Sequence, residues 1–501
     1  MRPILALAGG WMALPAAALA QTVAFSLEGV TVYDPTELLS FATLETIQRD
    51  GAVSPESVAL TLQTIYREDG YFLAEAFVAQ DGQTLVVDEG RIGEISIEGM
   101  DAATFELARR YTEPLTRPGP VTLPAFERAL MLIEDIESIS ATAEVDYPDP
   151  IGAARLRLIA SPEDRAFGSV TLDHPERRIG EAATLTFSQA FLSAVTPGDL
   201  LRFDLSLTED FDGGDSSVWG AAAYRMPLGG SGAYGELYLA NVAARRDATA
   251  TLEATDIRGD TAILALGYPV IRDVETYGYA LFELRRSGSE VDVPATDFDS
   301  VVDAASASWI YGKTLPGGGA YEVALSGTAG RQDTDAPGLD PGDETFAYLR
   351  GGVGLERPVT WFGPDSAVRA ELWGQYSNNR LPGIEEFYLG GRRDERGYLF
   401  AEAQGDSGAS FFLEAGRYLF PATPSITQLR PFAFFDAGHI ENRDASGSET
   451  GAETFASVGF GLDAEFTGGM SLQSRIDTPL IDGPSTRAGD AAAYFSLTKT
   501  W

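Results

Sequence analysis

Cysteine is absent from the 501 residues and histidine occurs twice, as His174 and His439. Without thiolates, and with two isolated imidazoles, the chain cannot assemble a transition-metal cluster, and it holds no disulfide staple. Basic residues are scarce too: 36 Lys and Arg stand against 74 Asp and Glu, a formal charge of −38. Phosphate backbones need a basic stripe, so nucleic acid is excluded as a partner. Beyond residue 20 no apolar run reaches the roughly 18 residues that a membrane helix requires. A chain that crosses a membrane without such a run does so with β-strands.

What is present begins with a leader. "MRPILALAGGWMALPAAALA" has a basic start at Arg2, a short apolar run and a small-residue ending at Ala18 and Ala20. This pattern predicts a secretory signal over residues 1–20, cut before Gln21. An exported chain with no cysteine must be held together without covalent bridges, which a closed hydrogen-bonded barrel can do.

Residues 22–161 carry mixed periodicity. "SPESVALTLQTIYREDG" has the marks of a helix: Ser54 as N-cap, Pro55 in the first turn, Gly70 at the end, and Val58, Leu62, Ile65 and Tyr66 on one face. "AFSLEGVTV" before it, and "YFLAEAFVA" and "QTLVVDEG" after it, are predicted strands. From "GEISIEG" onward the order repeats, so a strand-helix-helix-strand-strand unit of about 70 residues is expected twice. After Ser161 helical spacing gives way to alternation. Leu201, Phe203, Leu205 and Leu207 interleave with Arg202, Asp204, Ser206 and Thr208, and several later segments do likewise. Strands of about 9 to 11 residues, short turns alternating with long polar loops, and a C-terminal strand pattern favour a membrane barrel over a soluble sandwich or a solenoid. At roughly 20 to 22 residues per strand and connection, about sixteen antiparallel strands are expected. In the last strand Phe495, Leu497 and Trp501 share a face suited to closing the barrel at an aromatic girdle, with Lys499 near enough to the end to snorkel.

Three segments invite a catalytic or metal reading. "GDSG" at Gly405–Gly408 looks like a protease nucleophile, but a Ser407 triad would need His174 or His439 to converge on it from unrelated strand ends. Glu385 and Glu386 are adjacent and point apart. The acidic loops lack EF-hand spacing. No catalytic residue, cofactor or metal site is expected.

"LPGIEEFYLGGRRDERGY" is more specific. It resembles the loop signature of two-partner secretion transporters, the haemolysin activation/secretion (TpsB-type) branch of the Omp85 superfamily. Leu381, Pro382, Glu386, Phe387, Leu389, Gly390, Gly391, Arg396, Gly397 and Tyr398 match, whereas Glu395 stands where the family has valine. "PFAFFDAGHI" carries the second signature, FxDxG, as Phe434, Asp436 and Gly438. "EGRIGEISIEG", "TLDHPERRIGE", "LGYPVIRD" and "QGDSGASFFLEAGRY" extend the likeness over essentially the whole mature chain.

The resemblance implies two periplasmic α/β POTRA modules, at 22–92 and 93–161, followed by an outer-membrane β-barrel over 162–501. It further implies a surface loop folded into the lumen, with Arg396 paired to Asp436. Gly390, Gly391 and Gly397 would let the loop turn sharply. The implied partners are a TpsA-like exoprotein client, outer-membrane lipid, and the periplasmic chaperones and assembly machinery needed for insertion; the transporter itself is expected to act as a monomer. The family's N-terminal plug helix is expected to be missing, since strand-like sequence follows residue 21 almost at once. An Omp85-type barrel insertase is the competing function, and a plain porin a weaker one.

Overall fold

The computed structural model describes residues 25–501 apart from 137–138, 148–151, 163–164, 175–181, 212–213, 248–253, 294–295, 336–341, 392–394, 422 and 444–450. The expected leader, residues 1–20, lies outside the described residues. Two compact units result, Met1–Glu163 and Asp164–Trp501.

The first unit contains the repeated element order. Strand β1 (Ser26–Glu28), helices α1 (Pro35–Asp50) and α2 (Pro55–Glu68), and strands β2 (Glu75–Val78) and β3 (Thr84–Asp88) form one copy. Strand β4 (Ile92–Glu98), helices α3 (Ala102–Thr112) and α4 (Leu123–Glu134), and strands β5 (Ile139–Asp146) and β6 (Ala154–Pro162) form the other. In each, the last strand is central, parallel to the first and antiparallel to the second, giving orders β1-β3-β2 and β4-β6-β5. Asp34, Ser54 and Asp101 cap α1, α2 and α3, and Val58, Leu62, Ile65 and Tyr66 are buried beneath the first sheet.

Two sequence-predicted strands are shorter here. Gly29, at φ +84°, turns the chain immediately after Glu28, so "AFSLEGVTV" is extended for only three residues. Tyr71–Ala74 form a turn rather than strand, because Tyr71, Leu73 and Ala74 are buried. Tyr71 and Ala74 pack in the first module and Leu73 in the second. Phe72 meets Phe126 at 5.1 Å between ring centroids, and the Val121 and Leu123 amides donate to the Gly90 and Gly70 carbonyls. Beside this junction the Glu89 carboxylate accepts the Tyr66 hydroxyl at 2.7 Å and the amides of Thr31 and Val32. Burial first, and then the Glu89 contact, push the Tyr66 phenol far above its ordinary value. Leu73→Ala is expected to cost about 2–4 kcal/mol of cooperative stability and to loosen one module from the other. Proteolysis within residues 69–92 of the folded protein checks this, and an unchanged cleavage rate contradicts it.

The second unit is a closed barrel of sixteen antiparallel strands among the described residues, running from Ala166–Asp173 to Ala492–Thr500. Its lateral seam pairs Ser169–Asp173 with Ser496–Thr500. Trp501 extends the seam by exchanging backbone hydrogen bonds with Gly168, and its ring lies 6.1 Å from Phe187. Lys499 donates to the Gly468 carbonyl at 2.6 Å. Phe203, Leu205, Leu207, Leu237, Leu264, Phe282, Leu325, Leu349 and Phe460 are exposed, forming an outward apolar band whose solvent is lipid. Several strands exceed the predicted 9 to 11 residues, Thr296–Thr314 being the longest. Alternation continues past the apolar band into polar sequence such as "TDFDSVVD", so the ladder of hydrogen bonds extends beyond the span itself.

Candidate functional site

Residues 378–406 connect the strands Ser366–Ser377 and Ser407–Arg417 at the barrel's long-loop end. Within the connection, Phe387–Leu389 pairs antiparallel with Ala403–Gly405, making a two-stranded ribbon. Residues 392–394 fall outside the described residues.

Phe434, Asp436 and Gly438 lie on the strand Ile426–Glu441 with Phe435 between them. Phe435 is among the exposed apolar side chains, as is Leu413 on the neighbouring strand. Alternation therefore turns Phe434, Asp436, Gly438 and Glu414 toward the lumen. Arg396 meets them there. Its Nε and Nη2 donate to the two Asp436 carboxylate oxygens at 2.8 and 2.9 Å, and its backbone amide donates to Oδ2 at 3.0 Å. Nη1 donates to Glu414 at 2.9 Å. The guanidinium carbon stands 3.4 Å from the centroid of the Phe434 ring and 4.4 Å from that of Phe412. Planarity and permanent charge suit arginine to this position: one fork satisfies a carboxylate while its faces stack on rings.

The network spreads along the wall. Glu414 also accepts from Arg430, which donates to Asp463 at 3.0 Å. On the next strand Arg475 pairs with Asp477 at 2.8 Å. Facing glycines admit the rings: a Cβ on Gly459 would meet Phe434 at 2.4 Å, and one on Gly461 would meet Phe432 at 2.3 Å.

Glu395, the departure from the family pattern, is fully buried. Its carboxylate accepts the Ser410 hydroxyl at 2.7 Å and the Gly390 amide at 3.4 Å. It occupies space that Gly438 leaves open, since a Cβ there would stand 2.3 Å from Glu395 Oε1 and 2.7 Å from Leu389 Cδ2. Tyr398 stacks on Phe455 at 4.4 Å between centroids, and its hydroxyl donates to the carbonyls of Ala456 and Ile481. Gly390, Gly391 and Gly397 have φ of +96°, +139° and +96°. A side chain on Gly390 would strike the Leu399 carbonyl at 2.3 Å.

Periodicity and motif give no notice of the loop's other supports. Glu385, which the sequence offered only as half of a carboxylate pair, is buried and receives Arg285 and the Tyr348 hydroxyl from the wall. Asp406 accepts the Leu381 amide at 2.6 Å and the Arg443 amide at 2.7 Å. Glu402 receives the amides of Ser485 and Thr486 from a neighbouring connection. The one available signal was a charged residue at a strand position where alternation should face the interior, as Glu414 does in "FFLEAGRY". Ser407 spends its hydroxyl on the Ser377 backbone, and His439 meets the Thr454 hydroxyl at 2.7 Å.

Comparison with known proteins places this architecture. Residues 287–464 match the model of the haemolysin secretion/activation protein family ShlB/FhaC/HecB. The outer membrane transporter CdiB of Escherichia coli is 23% identical over 453 residues, covering 81% of this chain and 71% of that protein. Among solved structures, CdiB from Escherichia coli superposes with a TM-score of 0.76 at 19% identity, over 95% of this chain and 90% of that one. CdiB from Acinetobacter baumannii gives 0.73 at 14% identity, over 95% and 89%. BamA from Haemophilus ducreyi, lacking POTRA domains 1–3, gives 0.55 at 14% identity, over 95% and 100%. The family match covers residues 287–464 of the barrel, and the fold over nearly the whole chain is that of the CdiB structures.

Proposed function

We propose that the two POTRA modules capture an unfolded TpsA-like exoprotein in the periplasm and that the barrel passes it to the surface, with the loop 381–400 as a lock on the lumen. The observation that carries the lock is the buried fork of Arg396 on Asp436 and Glu414. It joins the loop to two wall strands at once, so the lumen cannot clear along this wall while it holds.

Capture rests on sheet edges. The strands β2 and β5 lie at the edges of their sheets, and an extended client can add to such an edge through backbone hydrogen bonds with little demand on its sequence. No nucleotide enters this scheme; folding of the client outside supplies the drive.

Co-expression with a TpsA-like exoprotein tests the reading. Wild type should place the client in the medium or on the cell surface, and a photo-crosslinker at Thr142, on the exposed face of β5, should trap it in transit. Failure to export, together with loss of other barrels from the membrane on depletion, would instead mark an insertase. Export without any adduct at β2 or β5 would retain the transporter and discard edge capture.

A further inference from the structure

One of the two sheet edges is already in use. Strand β5 is eight residues long and β2 four, so β5 is the longer template for an added strand. Among the described residues β5 has a neighbour, β6, on one side only, and in an antiparallel ladder alternate residues turn their amides and carbonyls away from that neighbour. Ala141, Ala143 and Val145 are the residues that turn away. The Ala141 amide identifies the set, because it donates at 2.6 Å to the carboxylate of Glu134 on α4.

Glu134 is the last residue of that helix. A helix C-terminus carries partial negative charge, so a carboxylate there works against the helix. Helix stability therefore does not account for Glu134, whereas protection of an open edge does. A client carbonyl that pairs with the Ala141 amide has to take the place this carboxylate holds.

The rest of the edge says what pairs with it. Ala141, Ala143 and Val145 are half-buried against the core of the module, and Thr142, Glu144 and Asp146 alternate with them on the solvent face. Two rows cross that face in register, Glu94 with Arg155 and Asp146, and Ser96 with Arg157 and Glu144. Arg155 pairs with Glu94 at 3.2 Å, and Arg157 pairs with Glu98 at 2.9 Å and with Glu144 at 3.1 Å. On the face of these three strands Glu94, Glu98, Glu144 and Asp146 thus share Arg155 and Arg157, which leaves it acidic. Next along the chain, Tyr147 stands near Glu75, Asp88 and Arg67, so the balance stays negative past the end of β5.

We propose that β5 captures an extended client segment whose polar face is basic, and that this segment displaces Glu134 from the Ala141 amide as it pairs. The inference rests on the reading that the modules capture by strand addition. Lysine or arginine at alternate client positions falls beside Glu144 and Asp146, the cross-strand arrangement that favours opposite charges. Glu134 is a competitor built into the module: it lowers the affinity of every strand, so only segments that add those charge contacts bind well.

Fluorescence anisotropy of a labelled nine-residue peptide alternating lysine and valine, added to the folded full-length protein in detergent, is the test. Wild type should bind it, and Glu134→Ala should bind it about tenfold more tightly. Removing Glu134 also removes an attraction to lysine, so a gain in affinity comes from the freed amide and not from charge. The same peptide with glutamate for lysine should bind several-fold more weakly to both proteins. Ala143→Pro, which deletes an outward amide at an edge position that tolerates proline, should abolish binding with or without Glu134. An unchanged limited-proteolysis pattern verifies that the modules of each variant are folded. Equal affinity of wild type and Glu134→Ala overturns Glu134 as the competitor and leaves strand addition standing. Equal affinity for the lysine and glutamate peptides overturns the basic client, and binding that survives Ala143→Pro overturns β5 as the site. Binding no tighter than that of the lysine peptide with alternate amides N-methylated overturns strand addition itself.

Discussion

Replacing Arg396 by lysine is expected to unseat the loop although the charge is kept. An ammonium can reach Asp436 or Glu414, but it cannot present two parallel donors to one carboxylate, a third donor to another, and flat faces to Phe434 and Phe412 together. The expected loss is about 2–3 kcal/mol of loop docking for lysine and about 3–5 kcal/mol for alanine, which leaves the buried Asp436 without its paired cation and Glu414 with Arg430 alone. A loss of 2–3 kcal/mol lowers the seated population relative to the unseated one by about 30- to 150-fold. Hydrogen exchange of peptides spanning 387–405 should accelerate in both variants, with faster exchange for alanine, while the barrel strands keep their protection. Resting conductance in planar bilayers should rise in the same order. If lysine behaves as wild type, charge alone holds the loop and the planar fork is incidental.

Gly438→Ala is expected to release the same loop while every charge stays in place. The new Cβ would meet Glu395 Oε1 at 2.3 Å and Leu389 Cδ2 at 2.7 Å. Neither group gives way readily, since Glu395 is bonded to Ser410 and Leu389 is fully buried. Overpacking of this kind costs about 1–3 kcal/mol. Gly383→Ala serves as the control, because a Cβ there meets nothing within 4 Å. Exchange across 387–405 should quicken for Gly438→Ala and stay unchanged for Gly383→Ala. Equal rates in both would mean that the loop does not need its close seat on the wall.

The two variants probe different kinds of information. Arg396 and Asp436 belong to recognisable local patterns, and a planar cation facing a carboxylate is chemistry that residue types announce. The Gly438 contact is different: that glycine makes room for Glu395, a residue 43 positions earlier, outside any regular spacing, where the family pattern has valine. Nothing local signals that a carboxylate will be buried against that glycine.

The same division runs through the whole molecule. Dyad alternation, turn chemistry and a polar inner face are local properties, repeated every two residues along each strand. The sequence by itself therefore determined that the chain is a transmembrane barrel of about sixteen strands, preceded by a repeated α/β unit. Helix caps and a four-residue apolar face likewise made α2 legible. Strand length was less so, because the ladder runs on into polar sequence that lipid never touches.

Only the tertiary structure decided which charges meet. Glu414, Arg430 and Asp463 come from three strands, and Glu385 finds Arg285 a hundred residues away. Such pairs depend on register, and register is set by the closure of the whole barrel, to which no short segment has access.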